Sequence, residues 1–587
     1  MFLCHVLQRS LSILLPISIA SLVYLYLYPV FHGCAFPVPA SDLSGPEPAL
    51  ASFTNILKEH FRYGNQSRDS KQSISPAPFR LLVLADPQIE GDSSLPGPND
   101  GLAGRFWKHW NSVVSAETWE DRFFALRKGT KQVLLVDIPR SLETVRKQVD
   151  LVGNDYYLAH IYRTLHWWVI PSHVTVLGDL IGSQWVSDTE FAVRSGRYWN
   201  QVFRGGVRVD DEITITGMNG YGNGAEKTEM FTLSKDRSEK TAWSSRIINI
   251  AGNHDVGYAG DISEKRLDRF EREFGRHNWD VRFQYPISAG NDPEGKQINA
   301  SIHLIVLDSL LLDTPALSQS LASQTYGFIN DLISHRLRPV EDQSSFTLLL
   351  THLPLHKEAG VCTDAPLFAF FSKDDDKPID GELRFKEGGL REQNHISAQL
   401  SHHGILQGIF GMSGEPNAVA GGMGRNGLIL TGHDHTGCDT EHFINRTSVT
   451  SEDSSDTSPA WTWDARLYKS ENKQHYSSPP NPSIREITLR SMMGEFSGNA
   501  GLLSLWFDSR PSVMEWKYEF TTCQLGVQHI WWAVHIICLV TSSIVAVWLG
   551  LVLLGRSTNA DVAIVKSMAP PVAVNLKIKQ VYKPKAT

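Results

Sequence analysis

The sequence lacks an excess of basic residues: 55 Lys and Arg stand against 63 Asp and Glu, for a net charge of -8. A nucleic-acid-binding chain normally carries a basic face, so that class is disfavoured. No internal repeat of the solenoid kind is present. Cysteine is scarce, six in 587 residues, and no ligand-like cluster contains it except by adjacency. Thiolate metal chemistry therefore has little support. Leu11 to Phe31 contains no charged residue at all. At about 20 residues it is long enough to cross a bilayer, and longer than the apolar core of a cleaved signal peptide, so an uncleaved anchor is expected. Ile530 to Leu554 is a second such run, with Trp531 and Trp532 at one end and Arg556 just past the other, as interfacial anchoring predicts.

The charge pattern orients these two segments. Arg556, Lys566, Lys577, Lys579, Lys583 and Lys585 face a single acid, Asp561, in the tail. Positive residues stay on the cytosolic side, which places the C-terminus there; Arg9 places the N-terminus there too. The expected organisation is a cytosolic stretch 1–10, a transmembrane helix 11–31, a lumenal linker 32–78, a lumenal domain 79–525, a transmembrane helix 530–554 and a basic cytosolic tail 555–587. Sequons at Asn65, Asn299 and Asn445 all fall in the lumenal region and are candidate glycosylation sites. Cys34, Cys362, Cys438 and Cys523 share that oxidising compartment, and a disulfide among them is possible without its pairing being assignable. Lys583 and Lys585 lie fifth and third from the end. This arrangement is similar to the dilysine signal by which a coat retrieves membrane cargo to the endoplasmic reticulum, an address rather than an anchor.

Within the lumenal region a single pattern recurs: a short apolar run, then a polar turn. Leu81–Ala85 leads to Asp86 and Gln88, and Val174–Leu177 to Asp179. Ile247–Ala251 leads to Asn253, His254 and Asp255, and Phe346–Leu350 to His352. The stretch GLILTGHDHTGCD, Gly427–Asp439, leads to His433 and His435. Continuous apolar runs of this length fit strands buried on both faces. In such sheets, sites form beyond the carboxyl ends of strands. Helices are expected over Asp155–Leu165 and Ile262–Phe274, and further strands over Ile302–Leu307, Arg485–Ser491 and Leu502–Phe507. Gly91–Asp150, the Gly-rich Arg208–Ser244 and Arg446–Pro482 read as insertions or loops, the last as disordered over about 446–482. Asn154, Gln393, Asn394 and His395 are polar groups that could line a cleft.

Any one of these turns is commonplace, but five in one chain offer two carboxylates, two amides and several imidazoles. Oxygen and nitrogen donors without sulfur suit hard or borderline divalent ions such as Mn²⁺, Fe²⁺ or Zn²⁺. Asp86-x-Gln88, Gly178-Asp179, Gly252-Asn253-His254-Asp255, His352 and Gly432-His433-Asp434-His435 resemble, in order, the motifs of calcineurin-like metallophosphoesterases. The resemblance covers roughly Phe79 to Asp439. It implies an α/β fold in which two mixed β-sheets are sandwiched and flanked by helices, here with a transmembrane helix at each end. It implies that Asp86, Gln88, Asp179 and His435 hold one ion, that Asp179, Asn253, His352 and His433 hold a second, and that Asp179 bridges. It implies that His254 lies beside the reacting phosphate as the catalytic acid. Gln88 departs from the commoner Asp-x-His pattern, and its amide oxygen hardens that ion's environment toward Mn²⁺. The reaction implied is two-metal hydrolysis of a phosphoric ester.

A narrower resemblance rests on ADPQ, INIAGNHDVGY, GHDHTGCD and RSMMGEFSGNAG (Arg490–Gly501) between two membrane segments. These resemble the fungal and animal phosphodiesterases of the early secretory pathway that remove an ethanolamine phosphate side branch from a mannose of glycosylphosphatidylinositol (GPI) anchors. That subgroup implies Mn²⁺ as cofactor, GPI-anchored proteins or their glycan as substrate, and a role in export from the endoplasmic reticulum. The alternatives are a lumenal metallophosphatase with another substrate and a non-catalytic cargo adaptor.

Overall fold

A computed structural model describes residues 2–37, 60, 77–91, 101–215, 231–232, 243–288, 297–375, 384–415, 417–446, 461–468 and 481–567. The chain divides into two compact units, 1–26 with 530–587, and 27–529. The first unit contains α1 (Phe2–Tyr26) and, from Ile530 on, the C-terminal helix Gln528–Ser567, both long and apolar enough to cross a membrane. Within it the Ser18 and Thr541 hydroxyls hydrogen-bond at 2.7 Å, the kind of polar contact that joins helices where water is scarce. The expected first span, 11–31, is shifted: the helix ends at Tyr26, and Tyr28–Phe31 is a separate turn with Pro29 in its first positions.

In the second unit the helices of more than one turn include α2 (Leu102–Val114), α3 (Trp119–Gln132), α4 (Ile138–Val169), α5 (Asp188–Arg197), α6 (Glu264–Phe274) and α7 (Gln319–Ser334); the C-terminal helix is α8. The strands are β1 (Phe79–Leu84), β2 (His173–Val176), β3 (Val207–Arg208), β4 (Phe231–Thr232), β5 (Arg246–Asn249), β6 (Trp279–Ser288), β7 (Gln297–Leu307) and β8 (Ser345–Thr351). They continue with β9 (Phe368–Phe370), β10 (Leu390–Gln393), β11 (Gly427–Thr431), β12 (Cys438–Arg446), β13 (Trp461–Leu467), β14 (Ser483–Thr488), β15 (Asn499–Asp508) and β16 (Glu515–Gln524).

Two mixed sheets dominate. One has the order β16-β15-β1-β2-β5-β3 and the other β13-β12-β14-β11-β8-β7-β6-β4. Alternate residues explain how they meet. Phe79, Leu81 and Val83 of the first sheet share one core with Ile302, Leu304, Val306, Phe346, Leu348, Leu350, Leu428 and Leu430 of the second. A two-residue period puts one face of each strand between the sheets. The intervening residues, such as Leu82 and Leu349, are also fully buried, on the faces that helices cover. Burial on both faces is why these strands read as unbroken apolar runs. The ladders β1–β2, β2–β5, β8–β11 and β11–β14 are parallel, so their carboxyl ends point the same way within each sheet.

Three expectations change. Gly91–Asp150 is an insertion that is largely helical over the described residues 101–150: these contain α2, α3 and the start of α4, with a wider π-helical turn over Val133–Asp137 joining α3 to α4. Arg446–Pro482 is not wholly irregular, since Trp461–Leu467 forms β13, paired antiparallel with β12; the rest of it, most of Arg208–Ser244, most of the 32–78 linker, Asn65 and the Lys583/Lys585 tail lie outside the described residues. The strand expected at Arg485–Ser491 is Ser483–Thr488. Cys34 pairs with Cys523 and Cys362 with Cys438. The two free cysteines, Cys4 and Cys538, sit in the terminal helices.

His173 is an unexpected member of the core, 2% exposed on β2, its ring 4.3 Å from Phe79 and 4.7 Å from Phe283. Burial, with a smaller push from Arg80, lowers its pKa to about 3. The unfolded chain therefore takes up this proton first as pH falls below the ordinary histidine value, and stability is lost progressively down toward pH 3. At pH 5 that loss is about 2 kcal/mol, from roughly 1.5 units at 1.36 kcal/mol each. His173→Phe is expected to remove this acid-induced loss. Denaturant unfolding of both proteins at pH 7 and pH 5 checks it; equal sensitivity to acid would contradict it.

Candidate metal centre

Five turns at the carboxyl ends of β1, β2, β5, β8 and β11 carry the polar residues singled out above. Asp86 and Gln88 follow β1, Asp179 follows β2, and Asn253 and His254 follow β5. His352 follows β8, and His433 and His435 follow β11. The turns pay a conformational penalty. Asp86, Gln88, Asp179 and His433 have φ of 50°, 41°, 50° and 71°, in the left-handed region that side chains rarely occupy. Such residues cost of order 1–3 kcal/mol each and collect at functional sites.

The turns close on one another. Asn253 Oδ1 lies 2.9 Å from both His352 Nε2 and His433 Nδ1. His352 Nε2 is 3.4 Å from Asp179 Oδ1, and its Nδ1 donates to the Leu177 carbonyl at 2.8 Å, which fixes the tautomer that leaves Nε2 free to bind a cation. His433 Nε2 is likewise 3.0 Å from the Gln393 carbonyl, leaving Nδ1 toward the site. Two groups of ligand atoms result, each within 4.8 Å: Asp179, His352 and His433, and Asp86, Asp179 and His435. Asp179 belongs to both. Gln88 Nε2 donates to Asp179 Oδ2 at 3.1 Å and meets His435 Nε2 at 3.0 Å; turning that amide over would present its oxygen at the same place. His254 is the outermost member, 38% exposed in its side chain. Its backbone N–H donates to Asp179 Oδ1 at 2.8 Å, while its ring Nε2 lies 3.9 Å from Asp179 Oδ2.

The charge balance fits a cation. Burial, then the Asp179 charge, pushes Asp86 well above the ordinary carboxylate range. Asp179 lies below that range because His352, His254 and His433 outweigh its own burial. Burial lowers His352 and His435 as well, and brings His433 down to about 3. Neutral imidazoles and carboxylates are the forms that coordinate metal. Asp86 Oδ2 is fully buried with no hydrogen-bond partner, a costly arrangement for a polar atom unless a ligand completes it. Divalent ions held by the Asp179–His352–His433 and Asp86–Asp179–His435 groups would satisfy each of these conditions.

Glycines let the turns approach so closely. A Cβ on Gly252 would sit 2.0 Å from the Asp179 backbone nitrogen, and one on Gly432 2.4 Å from the Leu177 carbonyl. Gly252→Ala is expected to cost about 1–3 kcal/mol of stability, since backbone must shift to admit the methyl. It should also lower metal retention in the purified protein, because the atom displaced belongs to the residue shared by both groups. Full metal content and unchanged melting would contradict this.

Several supports of the site carry no signal of that role in the sequence. Asp255, completely buried, accepts from the Leu180, Ile181 and Gly252 N–H groups at 3.1, 2.7 and 2.9 Å, tying the β5 turn to the β2 turn. It stands inside the Gly-Asn-His-Asp motif beside Asn253 and His254, where the sequence assigns it no role of its own. Ser491, from RSMMGEFSGNAG, donates its hydroxyl to the Asp86 carbonyl and its N–H to the His435 carbonyl, and the Phe496 ring lies 5.1 Å from that of His435. The cleft-lining residues fare unevenly. Gln393 and His395 are buried, with Gln393 Nε2 bonded to Asp313. Asn394 bonds the Ala365 carbonyl, and Asn154 pairs with Gln528.

No family model matches the sequence. The chain is similar to Protein TED1 of Saccharomyces cerevisiae, 28% identical over 553 residues, which are 89% of this chain and 95% of that one. It is also similar to an uncharacterized protein of Schizosaccharomyces pombe, 26% identical over 407 residues, 67% of this chain and 80% of that one. The likeness to TED1 thus runs through nearly the whole of both chains.

Proposed function

We propose that this protein is a membrane-anchored, metal-dependent phosphodiesterase that removes an ethanolamine phosphate side branch from a mannose of GPI anchors. The observation that carries the reading is the convergence of four strand ends on two ligand groups that share Asp179, with Asn253 of a fifth against His352 and His433 and with Asp86 Oδ2 left without a partner inside. Asp86, Gln88, Asp179 and His435 would hold one ion, and Asp179, Asn253, His352 and His433 the other, with Mn²⁺ the expected metal. Bound there, two divalent ions supply Lewis acidity toward phosphoryl oxygens and a water acidic enough to act as nucleophile. The chain supplies the rest. Asp179 is held in place by the His254 N–H and by Gln88. His254, accessible from outside, would give a proton to the departing mannose oxygen, a contribution of about 10²–10⁴-fold for a positioned acid.

The cellular setting is included in the proposal: the endoplasmic reticulum membrane, with residues 27–529 lumenal and the Lys583/Lys585 tail available to a retrieval coat. Pairing of all four cysteines of this unit supports an oxidising compartment. Asn299, exposed on β7, and Asn445 on β12 are candidate glycan carriers together with Asn65. The decisive experiment is the structure of GPI glycans from cells lacking this protein. A retained ethanolamine phosphate branch is the expected result; a glycan identical to that of normal cells would sink the substrate assignment.

A further inference from the structure

The helical insert α2–α3 and the free portion of α4 has almost no interior. No residue of α2 is buried, α3 buries only Gly129, and the buried positions of α4 beyond the π turn begin at Gly153. Its apolar residues face outward instead: Trp119 is 80% exposed, Phe124 69% and Trp107 59%. Helices of 13 and 14 residues are marginal in water without an apolar face to bury. Inside the insert, Arg105 and His109 meet the buried Asp137 at 3.2 and 3.0 Å, which fixes α2 against the π turn without burying the aromatic rings. A cleft of about 170 Å³ between α2 and α3, lined by Phe106, Trp110, Leu126 and Val133 among others, opens onto the same apolar surface. An exposed apolar area of this kind marks a docking surface.

The position of α4 indicates what covers it. Tyr157 Oη donates to the Gly526 carbonyl at 2.7 Å, and Gln528 Nε2 to Asn154 Oδ1 at 3.4 Å. At its other end Trp168 packs on Val30. Val30 lies four residues past the end of α1, and Gly526 two residues before the start of α8. Thus α4 touches both segments through which the chain leaves its membrane-spanning helices, at points about 16 Å apart along its axis. From there its free portion runs roughly 20 Å further, to Ile138, carrying Leu142, Val145, Val149 and Val152 outward, each more than half exposed. Residues 101–150 hold nine Lys and Arg against six Asp and Glu, a net +3 in a chain of net -8. Trp and Phe with interspersed Lys and Arg are the composition of helices that lie in a membrane interface.

We propose that the α2–α3 hairpin and the free portion of α4 dock on the surface of the bilayer that α1 and α8 cross, forming a third, non-spanning attachment. The inference rests on reading those two helices as spans. Tethering at both ends keeps the bilayer at high effective concentration, which favours lipid over a second copy of the chain as the occupant.

The test uses the full chain with Cys4 and Cys538 replaced by serine, carrying a nitroxide at Phe124→Cys, Trp119→Cys or Lys265→Cys. Side chains at all three positions are exposed, so folding is not at stake. The protein is reconstituted in phosphatidylcholine vesicles and in nanodiscs holding one copy. Collisions with a water-soluble nickel chelate are expected to be about fivefold fewer at 124 and 119 than at 265 in both preparations, as for groups at the acyl boundary. Equal collision rates at the three positions overturn the proposal. Protection in crowded vesicles that disappears in single-copy nanodiscs assigns the surface to a second copy and also overturns it. Alkaline carbonate treatment of the same vesicles separates the underlying reading: a protein extracted by it has no spans, and both ideas fall, whereas a resistant protein with a water-exposed Phe124→Cys label loses only the third attachment.

Discussion

Asp179→Asn is expected to abolish turnover and to empty both ion positions together. Asparagine is among the few residues that tolerate a left-handed backbone, so the φ of 50° at this turn is retained. Its Oδ1 can still accept the His254 N–H that Asp179 Oδ1 accepts at 2.8 Å. What disappears is one negative charge at the residue common to both ligand groups. If the proposed ions are held there, the loss would fall on both at once and on the acidity of a water they polarise. If that electrostatic contribution is several kcal/mol, about 4 say, the rate falls by roughly 10³-fold. His254→Ala provides the contrast, because its ring lies outside both groups. It should keep stoichiometric metal while slowing hydrolysis. Metal content and hydrolysis of an activated phosphodiester, measured on the same preparations, separate the two variants. Full metal and full rate in Asp179→Asn would remove Asp179 from the centre of the mechanism, and metal loss in His254→Ala would make that histidine a ligand.

The turns that carry the candidate ligands are legible in the sequence because their physics is local. Each follows a strand whose residues are buried on both faces, and the apolar run stops where the backbone leaves the sheet. Leu81 to Leu84 and Leu428 to Leu430 are examples, buried throughout. The glycines at 178, 252 and 432 stand beside the ligands because a Cβ at any of them would strike His352, Asp179 or the Leu177 carbonyl. Elements whose logic lies elsewhere are harder to read. The apolar residues of α2, Phe106, Trp107 and Trp110, do share one helical face, but none of them is buried and no interior lies behind that face. A short amphipathic stretch without a core partner is not distinguished in the sequence from an insertion between strands. In β13 the exposure alternates between half-buried and open, with no residue fully buried, and its partner β12 is supplied from fifteen or more positions away. The pairing of Cys34 with Cys523, 489 residues apart, depends on the antiparallel β15–β16 ladder that carries Cys523, where Ala500 lies opposite it. Spacing alone cannot supply it.

Glu486→Ala is expected to be the most destabilising single substitution outside the ligand set. Glu486 on β14 is completely buried beside Lys357, which is 1% exposed. The Lys357 ammonium lies 2.8 Å from Glu486 Oε2, His442 Nε2 2.7 Å from the same oxygen, and the Leu355 N–H donates to Oε1 at 2.8 Å. Burial alone would push this carboxyl up; Lys357 and His442 outweigh it and hold the carboxyl well below its ordinary range. A depressed carboxyl contributes stability above its unfolded-state pKa and loses it as pH falls below that value, so the network should be intact at neutral pH. Removing one member strands a buried ammonium, at a cost of about 3–5 kcal/mol. It also releases the Leu355 N–H in the segment three residues beyond His352, so metal affinity should fall along with melting temperature. The double variant Lys357→Met/Glu486→Leu tests the cause. Replacing both charges with apolar groups of similar size should restore much of the stability, because a buried ion pair contributes little net energy over such a substitute. If Glu486→Ala melts with the parent protein, the pair is not strongly desolvated; if the double variant is no more stable than the single, the loss comes from the Leu355 and His442 hydrogen bonds rather than from the stranded charge.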